Sequence, residues 1–195
     1  MNFENFFAEK SEVPSSLALL AREMPDRCLI VVELDRPIVL TQETRLELPE
    51  MSPETRERLE LLGVPKEVLD AIGSEAEAKI YEEANLEPAE VNGKDALIRT
   101  DIDYDQKDAM GTTNLDRMKS GRAPLDANGK PIELHHIGQK QDSPLAELTS
   151  AEHRGNGNDN VLHNKQKESE INREDFDKER KDYWKARAEQ IENQR

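Results

Sequence analysis

The chain of 195 residues contains one cysteine, Cys28, which excludes an intrachain disulfide and any fold that relies on oxidised cross-links. The opening residues Met1-Asn2-Phe3-Glu4-Asn5 carry an acid and no base, whereas a secretory leader begins with positive charge. No apolar run approaches the roughly 18 residues needed to span a bilayer. The expectation is a soluble protein with no cleavable targeting signal. Its length suits one domain with an appendage or two small domains, enough to bury a core without structural cross-links. Internal repeats and low-complexity segments are also missing.

Positive charge is scarce as well: 27 Lys and Arg stand against 42 Asp and Glu, a net charge of −15. A balance this acidic argues against broad, nonspecific adhesion to nucleic acid, because phosphate attraction grows with each Lys or Arg brought close. The deficit is uneven. Residues 1–113 hold 26 acids and 12 bases, residues 114–195 hold 16 acids and 15 bases. The second part therefore permits a local basic surface.

Local signals divide the chain into short elements. Ser15–Met24 reads as a helix, Cys28–Val32 as a buried strand and 36–40 as a second. Ser52-Pro53-Glu54 supplies an N-cap, a first-turn proline and a first-turn acid for a helix that stops at Gly63. Helices are expected at Lys66–Ile72, at Glu75–Ala84 with Ser74 as cap, and at Thr113–Ser120, with a strand at Ala96–Arg99. Asp101, Asp103, Asp105 and Asp108 lack the glycine and terminal glutamate of a calcium loop and read as a solvated turn. Asn128-Gly129 between apolar arms predicts a hairpin over 124–134 whose second arm ends in His135-His136. Pro144–His153 reads as a loop running into a helix, since Leu145 and Leu148 repeat at helical spacing. A long final helix starts near Asn172, with Phe176, Trp184, Ala188 and Ile191 as its apolar stripe and Trp184 as a core anchor. Its Lys178, Lys181 and Lys185 read as a solvated face.

What the chain does have is a concentration of histidine. All four fall between His135 and His163. Histidine titrates near neutral pH and is the commonest metal ligand, so the clustering points to a site. Consecutive strand residues face opposite ways, so His135 and His136 can serve one site only where the strand bends or stops, and Gly138 offers such a bend.

Several segments carry a resemblance. Glu133-Leu134-His135-His136-Ile137-Gly138-Gln139, then Ser143-Pro144-Leu145-Ala146-Glu147-Leu148-Thr149, Glu152-His153-Arg154 and Leu162-His163, resemble the LHH family of the HNH and endonuclease VII (ββα-metal) nucleases. Asn92–Arg99 and Thr113–Met118 look like the same family. The likeness covers roughly residues 64 to 188 and leaves residues 1–62 outside. It implies a metal-dependent endonuclease, with His135, His153 and His163 as metal ligands and His136 as the general base. In many relatives the two later ligands lie four residues apart on one helical face. Here they lie ten apart, so Asn156, Asn158, Asn160 or Glu152 stands as an alternative third ligand. Ser143-Pro144 occupies the place of the family's central asparagine. The implied cofactor is one divalent ion, Mg²⁺, Zn²⁺, Ni²⁺ or Mn²⁺.

The expected fold is α+β, mainly helical, with a small β-hairpin and a ββα-metal-like nuclease core. Residues 1–62 are expected to be an acidic segment and 63–195 the nuclease domain. Lys130, Lys140, Arg154, Lys165 and Lys167 are the candidate nucleic-acid contacts. Such domains resemble the warheads of polymorphic bacterial toxins. The resemblance therefore implies a DNA substrate, an immunity protein as partner, and delivery into a target-cell cytoplasm. Two other classes stay open: a metal-binding interaction module without turnover, and a metal-independent ribonuclease.

Overall fold

Four short strands pair into one mixed sheet in the order β1-β2-β4-β3: β1 Glu87–Val91, β2 Lys94–Ile98, β3 Glu133–His136 and β4 Leu145–Leu148. The structure, a computed structural model, describes residues 48–165 and 168–194. The expected elements at Ser15–Met24, Cys28–Val32 and 36–40, together with Lys167, lie outside those residues. β1 and β2 form an antiparallel hairpin, β2 runs parallel to β4, and β3 pairs antiparallel with β4, His135 opposite Ala146 and His136 opposite Leu145.

Helices cover both faces. Around the sheet lie α1 Pro53–Leu61, α2 Lys66–Ala71, α3 Glu75–Glu83, α4 Asn114–Lys119, α5 Ser150–Arg154, α6 Asn158–Leu162 and α7 Arg173–Gln194. On one face Leu97, Ala146 and Leu148 pack with Leu59 of α1, Val68 and Leu69 of α2, Ala78 and Tyr81 of α3, and Leu162 of α6. On the other, Ala96, Leu134 and Leu145 pack with Met118 of α4 and with Tyr183, Trp184, Ala188 and Ile191 of α7. This is an α+β fold, and β3, β4 and α5 form its ββα core. Among the described residues no helix is long and apolar enough to cross a membrane.

The expected caps form. Ser52 and Ser74 each accept a hydrogen bond from the backbone N–H three residues on, the geometry that satisfies a free amide at a helix start, and Thr113, expected as the first residue of its helix, does the same as a cap. Two expectations change. The Asn128-Gly129 turn closes, with Asp126 Oδ1 accepting from Asn128 N and Lys130 N, but its arms make one bridge, Leu125 to Pro131. Pro124 and Pro131 have no N–H to extend that ladder, so β3 pairs with β4 instead. Leu145–Leu148 is accordingly a strand and not the approach to a helix. All four of its residues are buried, because it lies inside the sheet with helices on both faces, and this erases the alternation that marks a strand. β1 was not anticipated, although Asn92-Gly93, with φ +53° and +74°, forms the tight turn that joins it to β2.

One charged group is fully enclosed. Glu147, on the α7 side of β4, is 0% exposed. Its Oε1 accepts from Tyr183 Oη at 2.8 Å and Arg187 Nε at 2.9 Å, and its Oε2 from the Arg99 amide at 2.8 Å. The terminal helix is thereby tied to the two central strands.

Candidate active site

β3 ends at the histidine pair. Its pleat sends His136, with Leu134, toward α7, and sends His135, with Glu133, toward α5 and α6. After His136 the chain turns into a short 3₁₀ segment, Ile137–Gln139, where Gly138 has φ +74°. A Cβ there would lie 2.7 Å from the carbonyl oxygen of Ala71, so only glycine lets this turn seat against α2.

His153 sits in the last turn of α5, whose start is fixed by a capping box. Thr149 accepts from Glu152 N while Glu152 Oε2 accepts from Thr149 N at 2.7 Å. That same oxygen takes Arg99 Nη1 at 2.6 Å. Glu152 is thus engaged in the cap and an ion pair. The chain then reverses at Asn156 (φ +53°) and Gly157 (φ +84°), and α6 carries His163 back to face His153. A helix break plus a short second helix achieves what one continuous helix does with ligands four residues apart.

The three rings converge. His153 Nε2 lies 3.2 Å from His135 Nδ1 and 3.3 Å from His163 Nε2, and one nitrogen from each ring falls within 4.8 Å of the others. His153 Nδ1 meets Glu133 Oε2 at 2.5 Å, and His163 Nδ1 meets Asp159 Oδ1 at 3.0 Å. A carboxylate only accepts, so each neutral ring carries its hydrogen on Nδ1 and presents a bare lone pair at Nε2. Two lone pairs 3.3 Å apart repel unless a cation lies between them. Tetrahedral bonds of about 2.1 Å would set two ligand nitrogens about 3.4 Å apart, which matches both short separations. The residues present therefore fit one metal ion, held by His135 Nδ1, His153 Nε2 and His163 Nε2.

Electrostatics favour the neutral form of His135 and His153, the form a ligand must take. Burial, then the neighbouring His153 and His163, push His135 well below the usual imidazole value. Burial also lowers His153, against the pull of Glu133. Burial works to raise the Glu133 carboxyl, but hydrogen bonds from Arg154 and His153 outweigh it and hold it ionised below its usual range.

His136 stands apart from that cluster. Its Nε2 lies 2.9 Å from Glu179 Oε2 on α7, and its Nδ1 is buried with no hydrogen-bond partner. Burial works to raise Glu179, yet bonds from His136 and from Lys94, whose Nζ is 2.5 Å from Oε1, hold it below the ordinary carboxylate range. An ionised Glu179 keeps the hydrogen on Nε2 and leaves the lone pair on Nδ1. Neither Glu133 nor Glu179 was identified from the sequence. Glu133 is adjacent to the histidine motif, while Glu179 is 43 residues from His136 and carries no local signal.

All four histidines line one cleft of about 810 Å³, together with Glu133, Arg154, Arg173, Phe176, Arg180 and Lys181. Of the basic residues expected to meet nucleic acid, Arg154 lines it and donates to Glu133 at 2.9 Å. Lys165 pairs with Asp159 at 2.5 Å, behind His163. Lys140 borders a separate, smaller hollow, and Lys130 is exposed on the Asp126 turn. Ser143 ties its own loop by donating to the Lys140 carbonyl at 2.7 Å. A buried asparagine does occur upstream: Asn114 donates to the carbonyls of Asp103 and Leu125 and accepts from Leu125 N, locking the segment that leads into β3.

Fold and site together define a histidine-centred ββα nuclease core. Residues 113–190 match the family model described as LHH, a nuclease of the HNH/ENDO VII superfamily with conserved LHH, and this part of the chain is a nuclease domain of that family. No solved structure matches the chain.

Proposed function

We propose that the chain is a metal-dependent endonuclease that hydrolyses DNA phosphodiesters, acting as the toxic domain of a bacterial polymorphic toxin and restrained in the producer by an immunity protein. The observation that carries the catalytic part is the division of labour among the imidazoles: three share one point, and the fourth is held off it by Glu179. A divalent ion bound by His135, His153 and His163 would supply a Lewis acid for the charge that builds on the phosphoryl and leaving oxygens.

The remaining chemistry belongs to the side chains. His136 Nδ1 takes the proton of the attacking water as its oxygen bonds to phosphorus. One phosphorus–oxygen ester bond then breaks, and the departing oxygen is protonated from solvent. Glu179 fixes the tautomer that makes Nδ1 the acceptor and stabilises the imidazolium that results. Leaving a buried acceptor unpaired costs about 1–3 kcal/mol, which a proton-accepting role explains. The toxin role rests on the resemblance of LHH domains to such warheads, and delivery into a target cell's cytoplasm follows from it.

Plasmid nicking with added divalent metal tests the chemistry. The intact chain should cut, His136→Ala should cut about 10²–10⁴-fold more slowly while still binding metal, and His153→Ala should lose both. Cleavage of RNA alone that persists in chelator would overturn this reading in favour of a metal-independent ribonuclease. Growth arrest on intracellular production, relieved by a co-produced neighbouring gene product, tests the toxin role.

A further inference from the structure

The first turns of α7 form one wall of the cleft, and their composition departs from the rest of that helix. Arg173, Phe176, Asp177, Arg180, Lys181 and Trp184 all line the cleft, at the three- and four-residue spacing of a single helical face. Farther along, the same stripe is Trp184, Ala188 and Ile191, buried against the sheet. One face is therefore apolar where it covers the core and basic where it overhangs the histidines.

Arg180 is held in a stack. The His136 and Phe176 ring centroids are 4.6 Å apart, and the Arg180 guanidinium carbon lies 5.1 Å from the centre of the Phe176 ring. A guanidinium on an aromatic face has a restricted orientation and keeps its planar N–H fork for a partner. Asp177 pairs with it on the same helix, and both side chains remain about half exposed. The other acids at this wall are already matched: Glu133 with Arg154 and His153, Glu179 with Lys94 and His136. The wall thus keeps a surplus of positive charge on a chain whose total is −15.

We propose that this stripe is the track on which the DNA backbone lies, with Arg173, Arg180 and Lys181 each taking a phosphate and Arg180 exchanging Asp177 for the phosphate nearest His136. The proposal deepens the nuclease reading and rests on it for the identity of the substrate. It also assigns nucleic-acid contact to residues on α7 rather than chiefly to the loops around the histidine motif.

Binding of a fluorescent duplex of about 20 base pairs, measured by anisotropy as salt is varied, tests the track in a His136→Ala background that suppresses cutting. Each lost phosphate contact lowers the slope of log K against log salt by about 0.9, so R173A/R180A/K181A together should lower it by about 2.7. Lys178→Ala/Lys185→Ala, which neighbour Lys181 on α7 but do not line the cleft, should leave it unchanged. Arg180→Lys, otherwise active, should keep the slope but lose kcat, because it keeps the charge and gives up the planar stack on Phe176. An unchanged slope in the triple variant, with its melting temperature retained, would overturn the track whether or not the protein cuts DNA. A shifted slope in a protein that never cuts would keep the track and remove the nuclease reading. No duplex binding at all would remove both.

Discussion

Glu133 Oε2 lies 2.5 Å from His153 Nδ1 and also accepts from Arg154 Nε at 2.9 Å, so one carboxylate orients the ring at the centre of the histidine cluster. Carboxylates behind metal-ligating imidazoles typically contribute 10–100-fold to metal affinity. Glu133→Gln should therefore weaken Zn²⁺ binding by about that factor, read by isothermal titration, while circular dichroism stays native. Unchanged affinity would mean that the carboxylate only pairs with Arg154.

Glu179 plays the corresponding part for His136 without touching the three-histidine cluster. Glu179→Gln should leave Zn²⁺ affinity within about twofold and lower nicking by on the order of tenfold or more, since the base contributes through its tautomer and orientation. Equal loss of metal and activity would show that the two sites are not separable.

Arg187 faces Glu147 at 2.9 Å in a fully buried setting. Breaking one partner of such a pair leaves an uncompensated charge and costs about 3–5 kcal/mol. Arg187→Met should destabilise by that amount in urea melts. Arg187→Met/Glu147→Met should cost much less, because no charge is left orphaned. A double variant as unstable as the single one would place the energy in packing.

Gly138 combines φ +74° with backbone contact to Ala71. Gly138→Ala should cost about 1–3 kcal/mol from the left-handed backbone alone, with more from the collision, and should reduce nicking by shifting the end of β3. Full activity at native stability would show that the turn tolerates a side chain.

Asp108 is held below its usual carboxylate range by hydrogen bonding from the Thr112 amide, and then by Arg117 and Met110, against burial. A carboxyl whose folded value is lowered contributes stability above its unfolded value near 4, and loses it as pH falls through the folded value. Asp108→Asn should thus lower the melting temperature at pH 7, with the gap to the parent closing toward pH 3. A gap that does not narrow at all as pH falls below about 4 would point to shape rather than charge.

The caps at Ser52 and Ser74 and the extents of α1 to α4 were legible because they depend on contacts three or four residues apart. The pairing of β3 was not, since the turn at Asn128-Gly129 advertised one partner and the proline-flanked arms could not supply the ladder. β4 was misread for a related reason: burial on both faces removes the periodicity from which strands are recognised.

By itself the sequence determined the chemical inventory: four imidazoles in 29 consecutive positions, an acid beside the first pair, and a second part of the chain with its charges nearly balanced. Only the tertiary structure decided that His135, His153 and His163 share one point while His136 turns away to Glu179, and that α7 brings a basic wall to them. The His136–Glu179 pair alone joins residues 43 positions apart, and separations of that kind are set by how helices pack across a sheet, which no local spacing encodes.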